Sequence, residues 1–188
     1  MSEPIPVIDL FAGPGGLGEG FSAATDSRGR FLFDVRLSVE KEEIAHRTLE
    51  LRALFRELRR IDNLGPYYDY VHGRITRAQL FGLPSLASAV RHAQREARQM
   101  ELGVTPSSEV DACIRDALRS AEHWLLIGGP PCQAYSLAGR SRMRSANPEK
   151  FENDSRHFLY REYLRVIREH KPSAFIMENV KGMLSSTH

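Results

Sequence analysis

The apolar run Trp124-Leu125-Leu126-Ile127 stops at Gly128-Gly129-Pro130-Pro131, and this junction constrains the fold more than any other stretch. A short apolar run closed by a glycine pair reads as a buried strand. The two prolines fix the backbone behind it and have no N–H for a ladder, so the strand has to end there. Cys132 comes next, followed by Gln133, Ala134, Tyr135 and Ser136. A thiol on a rigid turn at the carboxyl end of a strand sits where open α/β sheets place their chemistry. A lone cysteine is more often a small buried hydrophobe. Here the neighbours are turn formers and polar groups instead of core residues, which favours a nucleophile.

At 188 residues the chain suits one domain with its own hydrophobic core. Its balance of 41% apolar and 27% charged residues is that of an ordinary globular protein. No apolar run approaches the roughly 20 residues of a membrane span, and Met1-Ser2-Glu3-Pro4 lacks the marks of a signal peptide. The expected location is therefore the cytoplasm, on the nucleoid if the source is bacterial. The two cysteines, Cys113 and Cys132, lack metal-ligand spacing, which argues against a disulfide scaffold or a metal site. Net charge is only +2, but Arg140 to Lys171 holds nine Lys or Arg against five Asp or Glu. Arginines in a loop can touch phosphates, although a solvated surface is the commoner role.

Near the amino terminus, Ile5-Pro6-Val7-Ile8-Asp9-Leu10-Phe11 reads as another strand. Ala12-Gly13-Pro14-Gly15-Gly16 follows, then Leu17, Phe21 and Ala24 at helical spacing. Strand, glycine turn and helix together open a dinucleotide or nucleoside site. The spacing is not that of NAD binders, and no Gly-Lys-Ser/Thr is present to cradle a triphosphate. A strand over Phe33 to Val39 then ends in Glu40, about 24 positions past the last glycine, where a ribose-binding carboxylate belongs. The plainer role for Glu40 is an acid complementing the dipole of the following helix, and both roles can hold.

That helix, from about Lys41 to Arg60, places Ile44, Leu51, Leu54, Phe55 and Leu58 on one face, its arginines reading as a solvated face. Asp69 to Gly73 is a candidate third strand. Residues 76 to 122 read as helical, with helices over Leu86–Leu102 and Ser108–Ala121, and suggest an insertion on the sheet's edge. Cys113 falls in the second of these and reads as packing. Beyond the polar stretch Ser141–Asn153, a helix over Ser155–Glu169 carries Leu159, Tyr163, Val166 and Ile167, and Lys171-Pro172 stops it. Ala174-Phe175-Ile176-Met177 is a last strand, ending in Glu178-Asn179-Val180. Strands alternating with helices predict a doubly wound, mostly parallel sheet whose strand ends converge on one rim.

These segments resemble the cytosine-5 DNA methyltransferase family over nearly the whole chain apart from the inserted helices. Phe11-Ala12-Gly13-Pro14-Gly15-Gly16 is similar to the family's cofactor loop, and Glu40 to its ribose ligand. Gly129-Pro130-Pro131-Cys132-Gln133 resembles the nucleophile loop. Asp154-Ser155-Arg156 with Leu159 looks like the helix that contributes a cofactor contact, and Glu178-Asn179-Val180 like the acid segment at the target base. One position departs from the pattern. The family has an acidic Gly-Asp-Ile-like stretch at the adenine, and Gly73-Arg74-Ile75 offers no carboxylate there, so that contact is unassigned.

The resemblance implies the Rossmann-like fold of S-adenosylmethionine-dependent methyltransferases. It implies S-adenosylmethionine as cofactor, bound by Phe11, Gly13, Gly15, Gly16 and Glu40, with Pro131 and Leu159. The implied substrate is double-stranded DNA, with the cytosine flipped out of the helix at a cost of a few kcal/mol. Cys132 would attack C6 so that C5 can accept the methyl group. Glu178, expected as a buried carboxyl, would share a proton with ring N3. Gln133, Ser136, Asn179 and Val180 would contact the substrate.

The family's target-recognition domain and later motifs have no counterpart here. Residues 1–188 are thus expected to form the N-terminal portion of a catalytic domain, incomplete at the C-terminus, with a second polypeptide as a possible source of the rest. The alternatives are a transfer-RNA cytosine-5 methyltransferase, which uses the same chemistry, and an inactive cofactor-binding remnant. Thymidylate synthase also attacks a pyrimidine through a Pro-Cys loop, but its folate and dUMP determinants find no match.

Overall fold

Residues 3–130 and 159–178 are described by the computed structural model of the chain. Its strands are β1 (Ile5–Leu10), β2 (Phe33–Glu40), β3 (Ala97–Gln99), β4 (Leu125–Gly128) and β5 (Ala174–Met177). They pair in the order β3-β2-β1-β4-β5, and every pairing is parallel. The order follows from burial. Val7, Ile8 and Leu10 are inaccessible to solvent and so occupy the middle of the sheet. A parallel strand buried on both faces needs an apolar residue at nearly every position, and β1 supplies them.

The helices are α1 (Gly16–Ala23), α2 (Glu43–Arg60), α3 (Gly65–Val71), α4 (Arg77–Gly82), α5 (Ala87–Glu96), α6 (Ser107–Leu118) and α7 (Leu159–His170). On one face of the sheet, Ile8, Leu10, Leu37, Val39 and Leu126 pack against Val110 and Ile114 of α6 and Tyr163 and Val166 of α7. On the other, Val7, Val35, Leu125 and Ile127 meet Leu17 and Phe21 of α1. Fully burying each such aliphatic side chain contributes about 1.5–3 kcal/mol, so both layers are needed to hold the sheet. Rossmann-like winding, with helices on both faces, is the result, as the sequence predicts.

A third core lies apart from the sheet. Ala53, Leu54 and Leu58 of α2 pack with Leu80, Leu86, Val90 and Ala93. This core organises the extra helices between β2 and β3. A capping box fixes the start of α4, where the Thr76 hydroxyl accepts the Gln79 N–H and the Gln79 side chain accepts the Thr76 N–H.

Three sequence expectations are corrected. Asp69–Gly73 is not a strand, because its first residues close α3. Residues 76–122 are not wholly helical: the expected helix Leu86–Leu102 ends at Glu96, and Ala97-Arg98-Gln99 becomes β3, paired with Ser38–Glu40. Finally, the arginines of α2 are not all solvated. Arg56 is buried and pairs with Glu19 of α1 and Glu96 of α5, while Ile44, expected on the apolar face, is 83% exposed.

Candidate active site

In this strand order the chain moves outward from β1 to β2 and β3, then returns to the other side of β1 for β4 and β5. The connections leaving β1 and β4 therefore diverge, and a crevice opens at their carboxyl ends. The glycine loop leaves β1 at that point, and Gly129-Pro130 leaves β4 beside it.

The glycine loop is built by its backbone. Phe11 and Gly13 both have left-handed conformations, with φ of 57° and 55°. The Ala12 N–H donates to the Val39 carbonyl at 3.0 Å, which fastens the loop to the end of β2. Gly13 donates its N–H to Glu40 Oε2 at 2.8 Å. A Cβ at Gly13 would meet no atom within 4 Å, so the loop faces open space that a ligand could fill.

Glu40 thus holds the loop, and its other oxygen accepts the N–H groups of Lys41 at 2.9 Å and Glu42 at 2.8 Å. One carboxylate thus ties the glycine loop to the turn that leads into α2. Three donors leave about one of its four lone-pair sites for a ligand hydroxyl. Its side chain is only 9% exposed, which keeps it in this one arrangement.

Across the crevice, β5 brings in Glu178. Its N–H donates to the Gly128 carbonyl at 2.9 Å, and its Oε2 lies 3.7 Å from where a Cβ on Gly129 would stand. Glu178 therefore stands directly over Gly129, where the chain leaves β4. It is exposed, whereas a buried carboxyl was expected. Pro131, Cys132, Gln133, Ser136, Asn179 and Val180 lie outside the described residues.

Leu159, the first residue of α7, faces the segment after β3. A Cβ on Gly103 would come within 3.2 Å of Leu159 Cδ2. Both line a cavity of about 760 Å3 together with Lys41, Glu101 and Leu102. Glu101 is a carboxylate just past the end of the third strand, and sequence reasoning missed it. Gly73-Arg74-Ile75, where such an acid was sought, follows α3, and Arg74 pairs with Asp69 there at 2.7 Å. The signal that could have revealed Glu101 was its place between a strand end and Gly103, but the strand itself was hidden.

Two further residues support the rim from below. The Tyr163 hydroxyl lies between the Leu126 carbonyl of β4 at 3.2 Å and the Ile176 carbonyl of β5 at 2.9 Å, donating to one at a time. Burial, with the nearby Asp9, raises its pKa well above the usual phenol value. Asp9 of β1 is 1% exposed, with both carboxyl oxygens unpartnered among the described residues. Burial pushes its pKa up to about 7, with the nearby Gly18 N–H and Arg56 only partly opposing. Among the described residues no cluster of side chains could hold a metal ion, and no helix is long and apolar enough to cross a membrane.

A five-stranded parallel sheet with a glycine loop after β1, a carboxylate closing β2 and a crevice at the reversal of strand order defines a Rossmann-like methyltransferase fold. The family model of the C-5 cytosine-specific DNA methylases matches residues 99–188. Type II methyltransferase M.Bpa9945I of Bacillus paralicheniformis is 34% identical, over 96% of this chain and 41% of its own length. M.AquIA of Picosynechococcus is 32% identical, over 95% of this chain and 50% of its own. M.XorII of Xanthomonas oryzae pv. oryzae is 41% identical, over 100% of this chain and 31% of its own. The chain belongs to the C-5 cytosine-specific DNA methylase family. It spans half or less of the length of these relatives.

Proposed function

We propose that the chain carries the cofactor- and nucleophile-bearing part of an enzyme that methylates C5 of cytosine in duplex DNA, with S-adenosylmethionine as methyl donor. The observation that carries this reading is the meeting of the glycine loop, Glu40, Gly129 and Glu178 at one crevice. The residues present suit that cofactor: Gly13 faces open space, Glu40 has a lone-pair site to offer a ribose hydroxyl, and Leu159 supplies an apolar contact. Phe11, Gly15, Gly16 and Pro131 complete the binding surface. Glu101, at the end of β3, is our candidate for the adenine contact that Arg74 cannot make. The bound cofactor supplies an electrophilic methyl group.

This chain's own residues supply the rest. Cys132 adds as thiolate to C6 of the flipped cytosine, which breaks the ring's aromaticity and makes C5 nucleophilic. Glu178 holds or shares the proton at N3 while charge develops there. Gln133, Ser136, Asn179 and Val180 contact the base and its strand. After methyl transfer, loss of the C5 proton and of the thiol releases 5-methylcytosine. The thiolate fraction has to be raised, because a free cysteine is only a few per cent ionised at neutral pH. Because the relatives are two to three times as long, we place the remaining wall of the DNA cleft on further sequence, in the same polypeptide or a second one.

The test is a duplex with 5-fluorocytosine at the target, offered with S-adenosylmethionine to this chain combined with that further sequence. Fluorine cannot be eliminated, so a covalent adduct should persist and map to Cys132. Cys132→Ser should bind the duplex without forming it. An adduct at Cys113, or undiminished turnover by the serine variant, would overturn the assignment. Methylation of transfer RNA with no action on the duplex would move the substrate from DNA to RNA.

A further inference from the structure

We propose that the cavity walled by α5, α6 and the amino-terminal half of β2 is an anion site for a phosphoryl group. It lies at the far end of β2 from Glu40 and the glycine loop. Because β3 pairs only with Ser38–Glu40, the flank of Asp34–Leu37 is walled by helices instead of a strand. The space left is about 500 Å3, within the range of small-ligand pockets.

Its charges are unequally satisfied. Asp34 accepts from Arg36 Nε at 2.9 Å and from Arg60. Glu57 takes Arg60 at 2.7 Å and His92 at 3.2 Å, and Glu96 is engaged by the buried Arg56. These acids are spent on partners. Arg95, Arg98 and Arg119 also line the cavity, and among the described residues none of their guanidinium groups has a hydrogen bond or ion pair. Asp116 is the one acid of the wall left without a pair among the described residues. Three guanidinium groups facing one cavity with a single uncommitted carboxylate leave an excess of positive charge.

Guanidinium forks match phosphate oxygens two at a time. A phosphoryl group carries about 1.5–2 negative charges at neutral pH, the magnitude this excess needs. The group can come from a polynucleotide backbone or from a free diphosphate, and the same recognition serves both.

The 188-residue chain is titrated with pyrophosphate and, separately, with a short DNA duplex, by calorimetry and by thermal melting at two salt concentrations. Pyrophosphate should bind and raise Tm, less so at high salt. Arg95→Gln combined with Arg98→Gln should weaken that binding at least tenfold and abolish the Tm shift. Asp116→Asn should strengthen it. Without anion, the double variant should melt no lower than the parent, because neither arginine gives up a partner. A merely structural role would instead lower its Tm at once. Tighter binding of the duplex than of pyrophosphate, lost in the same variant, identifies the polynucleotide as the source, and the reverse order the free anion. If neither probe binds, or if the double variant binds both as the parent does, the proposal is overturned.

Discussion

Glu40 ties the glycine loop to the turn before α2, and its proposed ligand role adds to that structural one. Its three backbone donors mean that Glu40→Ala should destabilise the unliganded chain by at least about 1.5–3 kcal/mol, the worth of one hydrogen bond to a charged group. It should also weaken S-adenosylmethionine binding beyond what the stability loss explains. Denaturation without cofactor and calorimetry well below the variant's melting transition separate the two effects, and binding unchanged in the folded variant would remove Glu40 from the ligand site. Asp9 gives a pH signature. Its pKa is raised from 3.8 to about 7, so the folded chain keeps a proton that the unfolded chain has released. Stability from this source is full below about pH 4 and is lost as pH rises towards 7, by up to about 4 kcal/mol. Denaturant midpoints at pH 5 and pH 7.5 should show the fall, and Asp9→Asn should reduce it. Burial acts on Glu96 in the same direction, against the attraction of Arg56, so some slope should remain. Nothing local in Ile8-Asp9-Leu10 distinguished a buried acid from an ordinary strand residue. The glycine loop and Glu40 were legible because their roles are written in backbone freedom and charge, which sequence displays directly. Asp9's role depends on what packs above it.

Among the elements, β4 is the least tolerant of change. A Cβ at Gly128 would lie 2.2 Å from the Leu10 carbonyl oxygen and 3.1 Å from Tyr163 Cε2. Gly128→Ala must therefore part β1 from β4, and should cost roughly 1–3 kcal/mol or more. In α1, by contrast, a Cβ at Gly20 would meet nothing within 4 Å, and Gly20→Ala should stabilise by roughly 0.5–1 kcal/mol. Urea unfolding of the pair gives the comparison, and equal effects would mean the strand contact is not as close as described. Tyr163→Phe should lose about 1 kcal/mol by releasing the β4 and β5 carbonyls. The glycine pair announced β4 in the sequence, and the apolar run announced β5. For β3 the signals ran the other way. Val90, Ala93, Ala97 and Met100 continue a helical period, and Ala97-Arg98-Gln99 has little intrinsic preference for a strand. Pairing with the exposed edge of β2 overrode that period, and the carboxylate at its end was hidden with it.

For the molecule as a whole, acid stability should turn on the junction of α6 and α7. Burial alone would raise the pKa of Asp111, but hydrogen bonds from His170 at 2.8 Å and Arg165 at 2.8 Å outweigh it and hold it below the usual range. Such a group contributes stability above its unfolded pKa and loses it as pH falls through the folded value. Asp111→Asn should thus be less stable than the parent at pH 6, and the gap should close as pH falls below 3.8 and through the lowered folded value. Circular dichroism across an acid titration would show whether it does. The order of the sheet bears on how the chain is made. Leu10 sits beside Gly128, so the second flank of β1 cannot be covered until β4 has left the ribosome. At about 5–20 residues per second, the roughly 120 residues between them take on the order of 6–24 s to appear. Throughout that interval a nascent chain carries Val7, Ile8 and Leu10, all fully buried in the finished fold, with one side open, and its yield in a cell depends on what shields that side before translation reaches β4.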